Sequence, residues 1–408
     1  MATDEFLREY YKRFFPFDLY YRWMSYGNVE PWRFANREFA YGLPGDIFVR
    51  YRSFFDAAEM KADVVKTCPE RIDIGPIYNN LPKHHNTNPL TPRERELCFD
   101  IDLSDYDDVR SCCSGAKICE KCWKLMAVAV KTIDRALRDD FGFQHLLWVF
   151  SGRRGVHCWV GDEVARQLDS TGRSAVAEYL TVVRGGAEKC KKVILPESKP
   201  IHPLISNSLK IIDSYFTKIC LIDQDLLHTE AQALSILNLV GDEKLKNEMV
   251  VEVNRQCRSE EKWQAMEEVL DATMKKKTNR KFSNCLKEIK LQFLYPRLDI
   301  NVTKGFNHLL KAPFCIHPGT KRVCVPFNPE SVDSFTPEDV PLLDKLISER
   351  TYSSSEGTEN KAAKLNNKAY YRDTSLAASI DVFEKFVLNM ESSWRGKLKE
   401  IDDQRMEF

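Results

Sequence analysis

The sequence predicts a mixed α/β (α+β) protein with a large helical insertion. Aromatic residues four apart within 5–15, followed by Pro16, indicate an N-terminal helix. Two short apolar runs, 146–150 and 156–160, flank a glycine-containing turn, which is typical of a β-hairpin. Across 203–294 strand patterns are missing and apolar residues follow helical spacing. Together these observations favour an α/β core interrupted by a helical subdomain.

The domain boundaries are placed where composition or periodicity changes. Strand character resumes at 298–302 and again at 322–325, so the core is expected to be completed by residues distant in sequence. A stretch rich in Ser, Asn, Lys and Glu then predicts a mobile linker before a last helix. The first part of the core, with a cysteine motif at 112–122, is expected at 1–202, and the helical insertion at 203–294. The core is completed at 295–350, the linker covers 351–372, and the C-terminal helix covers 373–408.

Composition narrows the class of protein. The chain has 60 basic and 60 acidic side chains, so contact with a nucleic acid would depend on local clusters of Lys and Arg. No apolar run approaches the roughly 18 residues that span a bilayer, and no secretory signal pattern is present, so we expect a soluble intracellular protein. The 13 cysteines fit reduced thiols better than a disulfide framework. A P-loop and a GxGxxG motif after a strand are both missing, which argues against the nucleotide-binding folds that carry them.

Three aspartates form a candidate metal site. Asp100 and Asp102 alternate with apolar residues in 97–103, so both face the same side of a predicted strand. Their Cα atoms would lie about 6.6 Å apart, close enough for both carboxylates to reach one or two divalent cations. Alone, such a D-x-D pattern is more typical of an edge strand with two solvated acids. Asp299 alternates in the same way within 298–302, which predicts a matching strand and the third acid that two-metal nucleotidyl transfer requires.

A glycine-containing turn at 151–157 carries a hydroxyl, two guanidinium groups and an imidazole. Its glycines let the backbone approach a ligand, and arginine offers paired donors that match phosphate oxygens. The turn therefore suits a triphosphate. From these residues alone, a basic surface hairpin with His157 in the core is an equally good interpretation.

Four cysteines lie within eleven residues, just before an amphipathic helix: Cys112, Cys113, Cys119 and Cys122. Four thiolates suit tetrahedral zinc, which is the leading interpretation. An iron–sulfur cluster takes the same ligands, and redox chemistry at the adjacent pair without a metal is a third alternative.

Three motifs in this order closely resemble the small catalytic subunit of eukaryotic and archaeal primases, the archaeo-eukaryotic primase family. They are FDID at 99–102, SGRRGVHCW at 151–159 and PRLDINV at 296–302. The resemblance covers roughly the whole chain, including 20–23 near the start and 307–311 near the end. The second motif is highly specific, whereas D-x-D alone is weak.

The resemblance implies DNA-directed synthesis of short RNA primers from ribonucleoside triphosphates. It implies that Asp100, Asp102 and Asp299 are catalytic and bind Mg²⁺ or Mn²⁺, and that the four cysteines bind a structural Zn²⁺. The nucleotide-binding residues that it implies are Glu38, Arg50, Asp73, Ser151, Arg153, Arg154, His157, Lys311 and His317.

The resemblance also implies partners and a compartment. These are a large primase subunit with an iron–sulfur cluster, through it the DNA polymerase alpha assembly, a single-stranded DNA template with its RNA primer, and the nucleus. Two other functions stay open on the residues themselves. One is a two-metal nuclease, and the other is a noncatalytic zinc-bearing interaction module of a replication assembly.

Overall fold

The structure, a computed structural model, describes residues 2–26, 31–184, 190–197, 200–276, 282–353 and 371–406. The strands in these ranges are β1 Arg37–Leu43, β2 Ile47–Arg52, β3 Arg71–Tyr78, β4 Pro92–Glu94, β5 Leu97–Asp102, β6 Leu146–Phe150, β7 Gly155–Val160, β8 Leu310–Lys311 and β9 Pro326–Phe327. The helices are α1 Ala2–Arg13, α2 Phe17–Met24, α3 Pro31–Ala35, α4 Ala57–Thr67, α5 Glu120–Arg135, α6 Glu163–Arg166, α7 Ser170–Leu180, α8 Pro203–Phe216, α9 Glu230–Leu237, α10 Glu243–Val253, α11 Ser259–Lys276, α12 Cys285–Leu294, α13 Ile300–Lys304, α14 Leu343–Ser353 and α15 Ala377–Met406. This content confirms the mixed α/β class. None of the helices in the described part of the chain is both long and apolar enough to span a membrane.

The chain folds into two compact units. The helical insertion expected at 203–294 falls inside the second unit, where the described residues form α8 to α12 and no strand. That unit also takes in residues on either side of the β6–β7 hairpin that the sequence placed with the core. The first unit is Met1–Asp100, Phe143–Ala175 and Asp299–Phe408, and the second is Ile101–Gly142 and Val176–Leu298.

Two sheets organise the first unit. One has the strand order β2-β1-β3-β4, and β8 also pairs with β3 so that Asp73 lies opposite Lys311. The other has the order β5-β7-β6-β9, and β6 and β7 form the expected antiparallel hairpin, with Val149 opposite His157. Residues from three distant parts of the sequence are therefore brought onto neighbouring strands.

An aromatic cluster packs the C-terminal helix against the N-terminal helices of this unit. Trp23 of α2 meets Trp159 edge to face at 5.7 Å and Phe383 of α15 at 5.6 Å. Each such aromatic pair adds about 0.5–1.5 kcal/mol beyond the area that it buries. The C-terminal helix, expected at 373–408, begins at Ala377 as α15, and four of its apolar side chains are buried: Ile380, Phe383, Val387 and Met390.

The second unit is built around α5. Its side chains between Leu125 and Val130 are all buried, whereas Glu120 and Lys121 in its first turn are exposed, as expected for an amphipathic helix. It packs against α8 and α12. A helix covered on several sides in this way is a rigid support for the cysteine motif that lies at its N-terminus.

The prediction of a strand at 298–302 is wrong. Helix α13 begins at Ile300, and Asp299 is its N-cap, whose side chain accepts a hydrogen bond from the N–H of Asn301 at 3.0 Å. Alternating apolar residues over five positions also fit the first turn of a helix, and aspartate is among the preferred N-cap residues. The third acid therefore lies at a helix start rather than on a second strand.

The strand expected at 322–325 is also displaced. Arg322 and Val323 form only isolated bridges, and the sheet strand β9 begins at Pro326. The expected linker 351–372 lies mostly outside the described residues, since α14 ends at Ser353 and the description resumes at Tyr371.

Candidate active site and metal centre

Strand β5 presents its two acids as the alternation predicts. Phe99 and Ile101 are fully buried, whereas Asp100 and Asp102 are half-buried. Asp102 is the N-cap of a short 3₁₀ turn, and its Oδ1 accepts hydrogen bonds from the N–H and the hydroxyl of Ser104, both at 2.8 Å. Asp100 belongs to the first unit, whereas Asp102 is grouped with the second.

Asp100 is bracketed by two residues of the first unit. The N–H of Asp299 donates to the carbonyl oxygen of Asp100 at 3.0 Å, so the backbones that carry these two acids are joined. On the neighbouring strand β7, the buried His157 places its Nε2 3.6 Å from Asp100 Oδ1. Carboxylate oxygens are the hard donors that Mg²⁺ and Mn²⁺ prefer, so the donor set fits these ions.

A cluster of cations surrounds His317. Burial and the positive charges of Lys311, Arg153 and Arg154, with a smaller effect of Arg71, lower the pKa of His317 to about 4. The imidazole is therefore neutral at pH 7. Its Nδ1 accepts hydrogen bonds from the backbone N–H groups of the following loop, at 3.1 and 3.2 Å, which leaves the ring proton on Nε2.

The turn at 151–157 is fixed to this cluster by close backbone contacts. Lys311 Nζ donates to the carbonyl oxygen of Ser151 at 2.9 Å. Gly152 has a φ of +91°, and a Cβ there would lie 2.6 Å from the Cβ of His317. Only glycine allows that backbone conformation and that approach together. These contacts join the turn to Lys311 and His317 in one continuous surface.

Asp73 lies beside the same cluster on β3. It is 1% exposed, and its Oδ1 accepts a hydrogen bond from Arg71 Nε at 2.6 Å. Its Oδ2 is buried and has no hydrogen-bond partner among the described residues. Burial raises the pKa of Asp73, and the charge of Arg71 opposes that effect. A buried acceptor with an unmet hydrogen bond marks a place where a ligand's hydroxyl group would be stabilised.

Glu38 and Arg50 form an ion pair on β1 and β2. Arg50 donates to both Glu38 oxygens, at 2.8 and 3.0 Å, and the Tyr78 hydroxyl donates to Glu38 Oε2 at 3.0 Å. Glu38 is fully buried, whereas the Arg50 side chain is 36% exposed. In this arrangement the carboxylate orients Arg50, which is the member of the pair that a ligand can reach.

The second unit holds the cysteine motif as a preformed cluster. Its four sulfur atoms lie within 4.8 Å of one another, the one group of at least three candidate metal ligands this close in the described part of the chain. The Sγ atoms of Cys119 and Cys122 are 3.8 Å apart. A tetrahedral site with Zn–S bonds of roughly 2.3 Å places its sulfurs about 3.8 Å apart, so the spacing fits zinc.

Neighbouring groups hold the cysteine side chains in place and lower the pKa of one thiol, whereas burial raises the pKa of Cys113 and Cys122. Burial would raise the pKa of the Cys119 thiol, but hydrogen bonds from the Cys122 N–H and from neighbouring thiols outweigh it and lower the pKa to about 7. The buried Arg110 places Nη1 3.7 Å from Cys122 Sγ and donates to the carbonyl of Lys117 at 3.0 Å. Gln224 donates to Cys112 Sγ at 3.3 Å. Such partners orient metal ligands and offset their charge.

Comparison with known proteins identifies the family. A family model described as DNA primase small subunit matches residues 99–329. The DNA primase small subunit of Drosophila melanogaster is 42% identical over 416 residues, covering 97% of this chain and 93% of that protein. The chain belongs to the DNA primase small subunit family. The corresponding proteins of Schizosaccharomyces pombe and Saccharomyces cerevisiae are 39% and 36% identical, covering 94% and 97% of this chain and 89% and 94% of theirs.

Apart from Asp102, which belongs to the second unit, the catalytic and nucleotide-binding residues predicted for a primase small subunit lie in the first unit, where several of them are in contact. Asp100 and Asp299 are joined through the backbone, the turn at 151–157 meets Lys311 and His317, and Asp73 lies opposite Lys311. The metal-binding and nucleotide-binding roles of these residues stay predictions.

Two residues of this primase unit belong to the candidate site although the sequence did not single them out. His308 has its pKa lowered by burial and by Arg95, while the charges of Asp299 and Asp73 act in the opposite direction, so its ring lies within electrostatic reach of both acids. Arg71 is the ion-pair partner of Asp73. The sequence signal that could have identified Arg71 is its position two residues before Asp73, because residues i and i+2 of a strand lie on the same face.

Proposed function

We propose that this chain is the catalytic subunit of a DNA primase, which synthesises short RNA primers on single-stranded DNA from ribonucleoside triphosphates. The observation that carries the proposal is that one unit holds two hard-ligand acids, Asp100 and Asp299, together with a cluster of cations. The charges of Asp299 and Asp73 both act on the pKa of His308, which lies between these groups in electrostatic terms. Polymerisation needs both features, because charge develops on the attacking oxygen and on the departing pyrophosphate.

Asp100, Asp102 and Asp299 would hold the catalytic Mg²⁺ or Mn²⁺ ions. When bound, such ions activate the primer 3′ hydroxyl and offset charge on the triphosphate. The contribution of the chain is to hold carboxylates at fixed positions, on one face of β5 and at the start of α13. Fixed ligands keep the reacting groups aligned without further rearrangement.

The cation cluster would bind the triphosphate. Arg153 and Arg154 offer paired N–H donors, and Lys311 offers a point charge already oriented by its bond to the Ser151 carbonyl. Neutral His317 carries its proton on Nε2 and would donate it in a hydrogen bond to a phosphate oxygen. Charges fixed before the reaction stabilise a departing pyrophosphate most effectively.

Zinc at the four cysteines would be structural. Four protein ligands fill a tetrahedral site and leave no position for a substrate. The metal would tie the loop that follows β5 to the N-terminus of α5, so its effect on activity would be indirect.

A primer-synthesis assay tests the proposal. The full-length chain, with and without a primase large subunit, is given labelled ribonucleotides and a homopolymer single-stranded DNA template. We expect incorporation by the wild type and by Asp46→Ala, an exposed acid in the β1–β2 turn, and loss of incorporation in Asp100→Ala. Folding is checked by circular dichroism.

Two outcomes contradict the proposal. Template cleavage without incorporation would identify a two-metal nuclease, which has no need for a triphosphate pocket. Equal incorporation by the wild type and Asp100→Ala would indicate a noncatalytic role, with the activity residing in a partner.

The partners follow from the family. Relatives that are named small subunits support a large subunit as the partner, and we propose that it carries an iron–sulfur cluster and connects the chain to DNA polymerase alpha. Replication in eukaryotes would place the complex in the nucleus. The balanced net charge is consistent with a chain that relies on a companion to hold the template.

A further inference from the structure

The helix that Asp299 caps is too short to hold its own position. Helix α13 has five residues, and helices of this length are unstable without tertiary contacts. Two hydrogen bonds join it to β5. The N–H of Asp299 donates to the carbonyl of Asp100 at 3.0 Å, and the hydroxyl of the fully buried Thr303 donates to the carbonyl of Cys98 at 2.9 Å.

A buried arginine closes the other end of α13. Arg95, two residues before β5, donates from Nη1 to the carbonyl oxygens of Val302 and Gly305 at 3.0 and 2.7 Å. A cation at the last carbonyls of a helix satisfies acceptors that have no partner within the helix. Asp299 caps the first turn and Arg95 caps the last.

Stability alone does not account for Arg95. The residue is 1% exposed, and its Nε and Nη2 atoms are buried without a hydrogen bond to any described residue. Burying a guanidinium group with part of its donors unmet is costly, and an apolar side chain of similar volume would often serve the core better. The hydrogen bonds that the Arg95 side chain donates go to the last turn and the C-cap of α13, the helix that Asp299 caps.

We propose that Arg95 and Thr303 are positioning residues that lock α13 onto β5 and so fix the position of Asp299 relative to Asp100. The inference rests on the proposed function, since it takes Asp299 to be a metal ligand. A displacement of about 1 Å in a reacting group can cost roughly 100-fold in rate. Loosening α13 would therefore weaken metal binding before it affected the fold.

The test measures binding of Mn²⁺ alone to the full-length chain, by the loss of the free-ion signal in electron paramagnetic resonance. In Arg95→Met and Thr303→Val we expect the Mn²⁺ dissociation constant to rise about tenfold, the lower end of the effect of losing a group that orients a metal ligand. Primer-synthesis kcat should fall by a similar factor, and the nucleotide KM should change by less than about twofold. Thr303→Ser keeps the hydroxyl and should restore tight Mn²⁺ binding.

The variant Asp299→Asn tests the metal-binding role of Asp299 separately from the positioning role of Arg95 and Thr303. If it loses Mn²⁺ binding while Arg95→Met and Thr303→Val bind as the wild type does, the positioning inference is overturned and the proposed function stands. If Asp299→Asn binds Mn²⁺ normally, the metal assignment itself fails. Should Arg95→Met not fold, the comparison of Thr303→Val with Thr303→Ser decides, because these variants differ from the wild type by one small group each.

Discussion

The N–H of Asp299 donates to the carbonyl oxygen of Asp100 at 3.0 Å, although 198 other residues separate the two in the chain. This bond fixes the start of α13 against the strand that carries the D-x-D motif. The bond thereby brings a third acid to the D-x-D motif, which alone is more typical of an edge strand with two solvated acids. The proposed chemistry of the first unit depends on this pairing.

Replacing Asp299 by asparagine should abolish primer synthesis and leave the fold intact. Asparagine is as good an N-cap as aspartate, so α13 should still begin at Ile300, and only the charge is lost. We expect primer synthesis to fall at least about 100-fold, since each metal contributes several kcal/mol to the transition state. Labelled ribonucleotide incorporation and the thermal unfolding midpoint measure the two effects.

The control for this substitution is Asp46→Asn, which removes the same charge from an exposed turn. It should incorporate ribonucleotides as the wild type does. Retention of most activity in Asp299→Asn would show that the carboxylate is not a metal ligand.

Gly152→Ala should damage the nucleotide site more than the fold. The position has a φ of +91°, and the new Cβ would lie 2.6 Å from His317 Cβ and 3.0 Å from Cys324 Sγ. The backbone conformation alone costs about 1–2 kcal/mol. The clash adds to this by pushing the turn away from His317, so we expect the nucleotide KM in primer synthesis to rise about tenfold or more.

Gly45→Ala is the matched control. Gly45 also has a positive φ, +79°, but nothing lies within 4 Å of the Cβ that alanine would add. Denaturant unfolding should show a similar loss from the backbone conformation in both variants, with an additional loss in Gly152→Ala. Equal nucleotide KM values in the two variants would contradict the assignment of the turn to phosphate binding.

His317 should make stability depend on pH. Burial and the charges of Lys311 and Arg153 lower its pKa to about 4, whereas the pKa of a histidine in the unfolded chain is about 6.5. Between these values the unfolded chain binds more protons than the folded chain, so stability rises with pH across this window and is lost as pH falls through it. Denaturant midpoints measured from pH 4.5 to 7 should fall less steeply with acid in His317→Gln than in the wild type.

His84→Gln serves as the comparison, because His84 is exposed in the segment between β3 and β4. It should leave the pH dependence close to that of the wild type. Identical pH dependence in His317→Gln and the wild type would mean that His317 is not held neutral by the fold.

Short sequence patterns correctly predicted the elements that are determined by neighbouring residues. The alternation in β5, the glycine turn after β6 and the long helical stretch from α8 to α12 each follow from spacing within a few residues. The start of α13 could not be predicted in this way, because five alternating residues fit a strand and a capped helix equally well. Only the backbone bond to Asp100, made through the tertiary fold, distinguishes the two.

Other features depend on contacts that no motif contains. Arg95 and Gln224 act on residues 207 and 112 positions away in the chain, through single hydrogen bonds to Val302 and Cys112. Each unit also combines segments that are distant in the sequence. Residues 101–142 were expected in the core, but they belong to the unit that contains the helical insertion. Composition changes mark ends of segments but do not show which segments pack together.

Removing the metal from the cysteine cluster should destabilise the second unit. The four sulfurs are already grouped, and Arg110 and Gln224 bind two of them, so the metal closes a framework that holds the loop to α5. We expect a zinc-selective chelator to release one zinc per chain and to lower the thermal midpoint. A loss of about 2 kcal/mol in the free energy of unfolding corresponds to a fall of roughly 4–8 °C in the midpoint for a unit of this size. Differential scanning calorimetry and a colorimetric zinc assay measure both.

Cys122→Ser should reproduce the effect of the chelator, whereas Cys257→Ser, at an exposed cysteine outside the cluster, should keep one zinc per chain and the midpoint of the wild type. Zinc should be found without the visible absorption of an iron–sulfur cluster, which separates the two metal interpretations of the cysteine motif. If Cys122→Ser retained its zinc, the tetrahedral assignment would fail. Because four thiolates leave no open position on the metal, ribonucleotide incorporation at low temperature should fall less than it does in Asp299→Asn.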